Sequence, residues 1–525
     1  MGGLLTRRLL PAGALALALG ALALAYRGGH PLQGYLFNSD SLYLPILFRD
    51  LFGHGGSLSD WFLTPAPYFF PDYPLYGLAY LVSAGIYDQI MVFGLLQAAL
   101  TLVASHALVR AALGRNRFAV SALIGVVLMW LSVRAAEPFV ELLTSAYHFG
   151  AFLASLAFVA LWLHQDRADG PDAPRWAPAC LCALSFVMCL SDGIFLVQTV
   201  APFLASVVLL GPVRAAAGRT RRRLAGAVLA SAVLGTLSYK LVVAHKTRYP
   251  ARLGLEQAGA HVRELGEHLG RVFADAPWFA VFFCIWIVFG LACVVCEARK
   301  RPFLALPRPL LLLVVFSMAS SAATVAAVLL VKTFPVSPRY LIPIVAWPVV
   351  AGLPVLSQLS GQRFDLATLA AAPLLALMLA NTSLSLYRVR PDGPAGHYPE
   401  HIACIDKALA ATAARRGVAQ YWDAKQIQAF SRHPLTLAQY LGNLEQHKWI
   451  TSERFYAAAY DFAIIDERAD AMFKLSREKL VALNGEPRQV VSCASHTLLL
   501  YKPGGLRVDN RPPAEPMRSA ADQAP

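Results

Sequence analysis

Arg7–Tyr26 reads RRLLPAGALALALGALALAY. Two arginines lead into a run, Leu9 to Tyr26, that carries no charge. Two readings compete for it. A cleaved secretory leader also has a basic start and an apolar centre, and ALALAY would serve as its small-residue end. A retained span has a longer apolar stretch and is followed by more of the same. A bilayer is crossed by roughly 20 apolar residues, and such runs recur to residue 386. The run is therefore read as a retained first span with its N-terminus in the cytoplasm.

Composition supports this. The 525 residues are 57% hydrophobic and 15% charged, too apolar for a soluble protein of this length. The formal charge of +14 is not a nucleic-acid footprint, because the basic residues sit in short breaks between apolar runs. RTRRR (Arg219–Arg223) and EARKRP (Glu297–Pro302) are two such breaks. The positive-inside rule places them in the cytoplasm. Cys180, Cys182, Cys189, Cys284, Cys293 and Cys296 fall inside apolar runs without histidine or carboxylate at zinc-ligand spacing, and read as small apolar fillers.

Alternating sides from the first span orders the rest. Residues 27–73 form a first outer loop, and YPLYGLAYLVSAGIY after it is too short to cross and lies at or partway into the interface. Further spans are expected at 89–109, 118–133 and 143–163, then on either side of LSDG (Leu190–Gly193). The next is expected at 224–243. Residues 246–276 form a second long outer stretch. In it Leu255, Ala258, Val262, Leu265, Leu269 and Val272 repeat at helical spacing opposite Glu256, Arg263, Glu264, Glu267 and Arg271, an amphipathic helix lying on the membrane. Spans at 278–295, 310–331, after KTFPVSPRYLIP, and ending near Leu386 bring the total to about eleven. The expected fold is thus a mainly α, polytopic helix bundle over 1–386.

An odd number of spans puts residues 387–502 in the periplasm. There helix-like HIACIDKALAATAARR alternates with strand-like YDFAIID and HTLLLY, a small α/β domain. Cys404 and Cys493 lie near its two ends; an oxidising compartment permits a disulfide, and two separate thiols is the other reading. The polar tail 503–525 is expected to be disordered.

The spans carry few ionisable groups at their centres, which transporters usually need. Polar residues cluster at the outer ends instead. SDSLYLP (Ser39–Pro45), then FPDYPLYGLAYLV (Phe70–Val82) before a span with a basic end, then SPRYLIPIVAWPVVAGL (Ser337–Leu353), resembles the GT-C glycosyltransferases. The resemblance is closest to the bacterial branch that uses polyprenyl-phosphate sugars, including the aminoarabinose and mannosyl transferases, and it covers roughly residues 1–390. It implies an inverting transfer of sugar from a polyprenyl-phosphate donor to a lipid or glycan acceptor of the cell envelope, at the periplasmic face of the inner membrane.

The resemblance also implies roles. Asp40 would be the catalytic base, with Glu137 and Glu141 of RAAEPFVE as second-loop acids. Arg339 would hold the donor phosphate, with Tyr340, Lys332, Lys246, Arg248, Arg134, Tyr43 and Asp72 as further substrate-binding candidates. No cofactor is implied. Relatives often carry two neighbouring acids where Asp40 is flanked by Ser39 and Ser41, which weakens the case for a divalent metal while leaving it open. Plainer roles stand beside these. Asp40 and Ser39 suit a helix N-cap. Asp72, between Pro71 and Tyr73, suits a turn. Glu137 and Glu141 suit a solvated helix start, Arg339 suits a lipid-headgroup anchor, and His148 suits a satisfied core histidine. The non-enzymatic alternative is a flippase-like transporter or a scaffold that keeps the fold.

Overall fold

A computed structural model describes residues 2–29, 32–114, 117–135, 137–167, 176–211, 215–246, 252–301, 304–332, 336–388 and 396–508. The first half of the bundle contains α1 (Gly2–Gly28), α2 (Gln33–Leu36), α3 (Tyr43–Gly53), β1 (Trp61–Leu63), α4 (Asp72–Val82), α5 (Ile86–Leu113), α6 (Phe118–Arg134) and α7 (Phe149–Arg167). After these come α8 (Ala177–Ser191), a π-turn (Leu196–Val200) running into α9 (Ala201–Leu210), and α10 (Ala215–Val242). The second half has β2 (His245–Lys246), β3 (Arg252–Leu253), α11 (Ala258–Asp275), α12 (Pro277–Ala298), α13 (Arg308–Leu330), β4 (Val331–Lys332), α14 (Ile342–Ser360) and α15 (Gln362–Arg388).

Among the described residues eight helices are long and apolar enough to cross a membrane, and the three shorter apolar helices Phe118–Arg134, Ala177–Ser191 and Leu196–Leu210 fill the remaining predicted span positions. Val281, Ile285, Val288 and Leu291 form an exposed stripe on α12, and Leu229, Val233, Leu237 and Leu241 do the same on α10. Such large apolar side chains face outward at helical spacing only where lipid replaces water. The chain is a multi-pass helical membrane protein.

One expected span begins late. The run from Leu143 does not enter α7 until Phe149, because Ala146 and His148 take positive φ (62° and 68°) and break the helix. The irregular backbone before the bend is held by α5. Gln97 Nε2 donates to the carbonyls of Glu141, Leu142 and Thr144 at 3.1, 2.9 and 3.2 Å. Gly94 admits it, since a Cβ there would meet the Leu143 carbonyl at 3.0 Å.

On the basic face, Asp166 at the end of α7 accepts from Arg221 (2.9 Å) and Arg308 (3.1 Å), which open α10 and α13. Its side chain is only 4% exposed. Asp166→Ala leaves both cations facing one another, and we expect a loss of about 2–3 kcal/mol, discounted for the partial exposure of the arginines. Thermal unfolding in detergent checks it; an unchanged midpoint would show the clamp to be idle.

The C-terminal domain contains α16 (Glu400–Ala410), β5 (Arg416–Gln420), α17 (Tyr421–Phe430), β6 (Thr436–Tyr440), β7 (Thr451–Ser452), β8 (Phe462–Asp466), α18 (Arg477–Asn484), β9 (Gln489–Cys493) and β10 (His496–Leu500). Its five-stranded sheet has order β6-β5-β8-β10-β9, parallel from β6 to β8 and antiparallel beyond. The period-2 rule sorts its faces. Ala419, Leu437, Ile464 and Leu498 pack with Ile405, Ala424 and Ile427 of α16 and α17, while Val418, Ala438, Ile465 and Leu499 pack with Leu475 and Leu480. Cys404 is bonded to Cys493, joining α16 to β9, with 5.5 Å between the Cα atoms. The sheet region extends past 502: Leu506 pairs with Tyr460 and is fully buried, as is most of Val508, so apolar packing holds residues that composition assigned to the tail. The rest of that tail, from 509, lies outside the described residues.

The domain is tied to the bundle. β1 from the first loop pairs in parallel with β2 and antiparallel with β7. Arg49 donates to the Gln428 carbonyl at 2.7 Å, and Arg454 meets buried Asp50 at 3.4 Å.

Candidate active site

Between the bundle and the domain lies a cavity of about 530 Å³. One wall is apolar: Ile194 and Val197 before α9, Ala327 and Val328 on α13, then Val331 and Val336. The same lining carries Asp40, Arg339, His148, Asp192 and Gln198. A cavity lined mostly by apolar side chains with a few charged ones suits an amphiphile whose polar head meets Arg339.

Asp40 reaches this cavity because another residue does the capping. Asn38 Oδ1 accepts the N–H groups of Asp40 (2.9 Å) and Ser41 (3.1 Å), and Leu42 at the N-cap of α3 makes no side-chain cap bond. The Ser39 hydroxyl donates across the interface to the Tyr421 carbonyl. The Asp40 carboxylate is thus not spent on its own helix. Oδ2 accepts from Arg339 Nη1 at 3.2 Å, and Oδ1 accepts from the Tyr421 hydroxyl.

Arg339 is positioned by α11. Glu264 accepts the Val336 N–H at 2.7 Å and His268 Nε2 donates to the Val336 carbonyl at 2.9 Å, fixing the turn that leads into Pro338. Leu265 and Leu269 pack beside Val336 and Leu341. The amphipathic face of α11 therefore closes on the site's own loop rather than on lipid alone. Arg339 Nε donates to Ser337 Oγ at 3.0 Å, and the guanidinium lies 5.1 Å from the Tyr147 ring centre. Tyr340 lines the cavity, and its carbonyl accepts from Gln198 at 3.1 Å.

A second polar group faces the first. His148 Nδ1 meets Asp192 at 2.7 Å, and Nε2 lies 3.3 Å from the Tyr68 hydroxyl. Tyr68 is brought there by Ser191, whose carbonyl takes the Tyr68 N–H and whose hydroxyl bonds the Phe70 backbone. Four of the non-glycine residues with positive φ among those described, Tyr68, Ala146, His148 and Ile450, line this one cavity. Backbone held in that sparsely populated region costs of order 1–3 kcal/mol per residue and gathers at functional sites.

The C-terminal domain contributes what the sequence did not suggest. Burial, and then the Asp40 charge, keep the Tyr421 phenol well above its ordinary range, so it stays a donor. Lys425, one turn along α17, is buried with Nζ 4.5 Å from the Tyr421 ring centre, and burial lowers its ammonium to about 7 against a smaller opposing pull from Asp40. Burial brings His447, edge-on to Tyr421, down to about 4.

The other candidates are dispersed. Tyr43 lines the cavity and bonds Tyr73 at 2.7 Å. Glu141 does not line it; it is 2% exposed with one unpartnered oxygen, and burial raises its pKa well above the carboxylate range. Burial raises Glu137 likewise. Neither is the solvated helix start that the alternative reading offered. Arg134 ends α6, exposed. Of Lys246 and Lys332 only the backbones, in β2 and β4, are described, and Arg248 lies outside the described residues.

Asp72 also stands off the cavity. Its Oδ1 accepts the Ala146 N–H at 2.8 Å, anchoring the bend beside His148, and burial lifts its carboxyl to about 7. A raised folded value means the acid form is favoured by folding. That stability is complete below about pH 4 and is lost as pH rises through 7, on the order of 4 kcal/mol in all. Asp72→Asn keeps an acceptor for Ala146 without the charge. We expect it to flatten, not abolish, the fall of the unfolding midpoint between pH 5 and pH 8, because Glu141 contributes with the same sign. A slope equal to the parent's would refute the assignment.

No protein-family model matches the chain, and no curated protein matches it in sequence. Solved structures do match. ArnT from Cupriavidus metallidurans bound to undecaprenyl phosphate superposes with a TM-score of 0.55 at 13% identity, covering 94% of this chain and 97% of that one. The apo state of the same protein gives 0.50 at 12%, with the same coverage. The chain shares the fold of these ArnT structures over nearly its full length.

Proposed function

We propose that this protein is an integral-membrane glycosyltransferase that takes a sugar from a polyprenyl-phosphate carrier and passes it to a lipid or glycan acceptor of the cell envelope. The observation that carries the reading is the Asp40–Arg339 pair in a cavity also lined by Val197, Ala327, Val328 and Val331. The structural neighbour named for its bound undecaprenyl phosphate supports the donor class. The Cys404–Cys493 bond supports placing the domain, and so the cavity, on the oxidising periplasmic side of a bacterial inner membrane. The basic breaks at the other helix ends agree.

The step would run as follows. The prenyl chain lies along Val197 and Val328, and the donor phosphate draws Arg339 from Asp40. The acceptor oxygen bonds to the anomeric carbon as that carbon's bond to the phosphate oxygen breaks. The electron pair leaves on the phosphate, against the guanidinium, and the acceptor proton passes to Asp40. Attack from the opposite side inverts the anomeric centre. Arginine rather than a metal bears the phosphate charge in this scheme, and Tyr421 holds the base in place. Purified protein given a radiolabelled polyprenyl-phosphate sugar and envelope lipids should release polyprenyl phosphate and label an acceptor. Binding of the carrier without any transfer would favour the non-enzymatic alternative.

A further inference from the structure

We infer that the C-terminal domain holds a divalent transition-metal ion, of the Zn²⁺ class, between Asp423, Asp466 and His496. Asp423 is in the first turn of α17, Asp466 ends β8, and His496 opens β10 directly opposite Asp466 in the strand register. One ligand atom from each lies within 4.8 Å of the others. His496 Nε2 and Asp423 Oδ1 are 3.2 Å apart. Zinc bonds nitrogen and oxygen at about 2.0–2.2 Å, which sets neighbouring ligands of a tetrahedron about 3.4 Å apart. The Asp423–His496 spacing is that of neighbouring ligands on one ion, and an Asp466 oxygen lies within 4.8 Å of both.

The simpler reading is a buried Asp423–His496 hydrogen bond with Asp466 turning the chain toward Arg468, whose N–H it accepts at 3.0 Å. That leaves two atoms unexplained. Asp423 is 8% exposed, yet its Oδ2 has no partner, and a buried carboxylate oxygen is costly to leave so. His401, opening α16, stacks on His496 with ring centres 4.4 Å apart, and its Nε2 is buried without a partner as well. A cation answers the first, and His401, stacked on His496, stands beside the ligand set as a further nitrogen donor. Ser495 Oγ, 3.1 Å from His496 Nδ1, supplies the outer contact that orients a ligating imidazole. Mixed imidazole and carboxylate donors favour a first-row transition ion over magnesium or calcium. The ion would not touch the cavity. It would fasten α17, which presents Tyr421 to Asp40 two residues before Asp423, and so act by positioning.

The test uses the full chain in detergent, stripped with a chelator and titrated with Zn²⁺ and, for its visible absorption, Co²⁺. The expected result is about one tightly bound equivalent, falling below about a tenth in Asp466→Asn/His496→Gln. Asp466→Asn alone, with a side chain 14% exposed, guards against misfolding of the double variant, and circular dichroism verifies its fold. Zn²⁺ should raise the unfolding midpoint of the parent and not of Asp466→Asn. Two outcomes would overturn the site: a parent that binds no stoichiometric metal, or a folded Asp466→Asn that binds it as the parent does.

Discussion

Asp40→Asn should cut sugar transfer about 10³-fold while tightening the protein's hold on the lipid phosphate, the general-base contribution being typically 10²–10⁴. The two effects come from one geometry. Asp40 Oδ2 occupies Arg339 at 3.2 Å. Asparagine is nearly isosteric and keeps an acceptor for the Tyr421 hydroxyl, but it neither takes a proton nor neutralises the guanidinium. A phosphate arriving at Arg339 then no longer competes with a carboxylate. With the pair partly exposed, at 25% and 11% for the two side chains, we expect a gain of about tenfold in affinity for polyprenyl phosphate. Equilibrium binding of the carrier and initial transfer rates, measured on the same preparation, separate the two. Full turnover in Asp40→Asn removes this residue from the chemistry. A loss of both binding and turnover would show that Asp40 holds the loop together and nothing more.

Much of the bundle was legible in the sequence, because length and hydropathy are local. Every described helix of spanning character falls on a predicted run. What failed was where the backbone bends. Leu143–His148 has the composition of a span and the conformation of a loop, since positive φ at Ala146 and His148 leaves no trace in hydropathy. The site divided in the same way. Asp40, Arg339, Tyr340 and Tyr43 came from short motifs beside spans, and the structure brings all four to one cavity. Tyr421, Lys425 and His447 could not be found like that. Tyr421 lies 381 residues from Asp40, and no periodicity links them. Asp192 did leave a signal, an acid next to glycine at a break between two apolar runs, where a membrane charge usually has work. His148 gained significance only once Ser191 was seen to carry Tyr68 to it. The Asp40 capping alternative was settled by Asn38, two residues upstream, whose oxygen takes both N–H groups.

Arg339→Gln should weaken polyprenyl-phosphate binding about 100-fold, the loss of a charge-assisted contact of about 2–3 kcal/mol. Arg339→Lys should fall between, about tenfold down. It keeps the charge but gives up the planar fork and the stacking on Tyr147, 5.1 Å from the guanidinium. That ordering distinguishes a phosphate ligand from a headgroup anchor. An anchor needs only charge, so lysine would serve as well as arginine and the two would bind alike. The glutamine variant has a second consequence, because Asp40 is 8% exposed and loses its cation. A carboxylate left buried without its cation is costly, so Arg339→Gln should also lower the unfolding midpoint. Adding Asp40→Asn to Arg339→Gln removes that effect, and the double variant should bind carrier about as Arg339→Gln alone does, without the tenfold gain that Asp40→Asn brings to the parent. The two substitutions would then be non-additive in binding, as expected for neighbours that neutralise each other until the donor phosphate separates them. Strict additivity would mean that Arg339 meets the phosphate without ever leaving Asp40, and the competition at the centre of the proposed step would have to be given up.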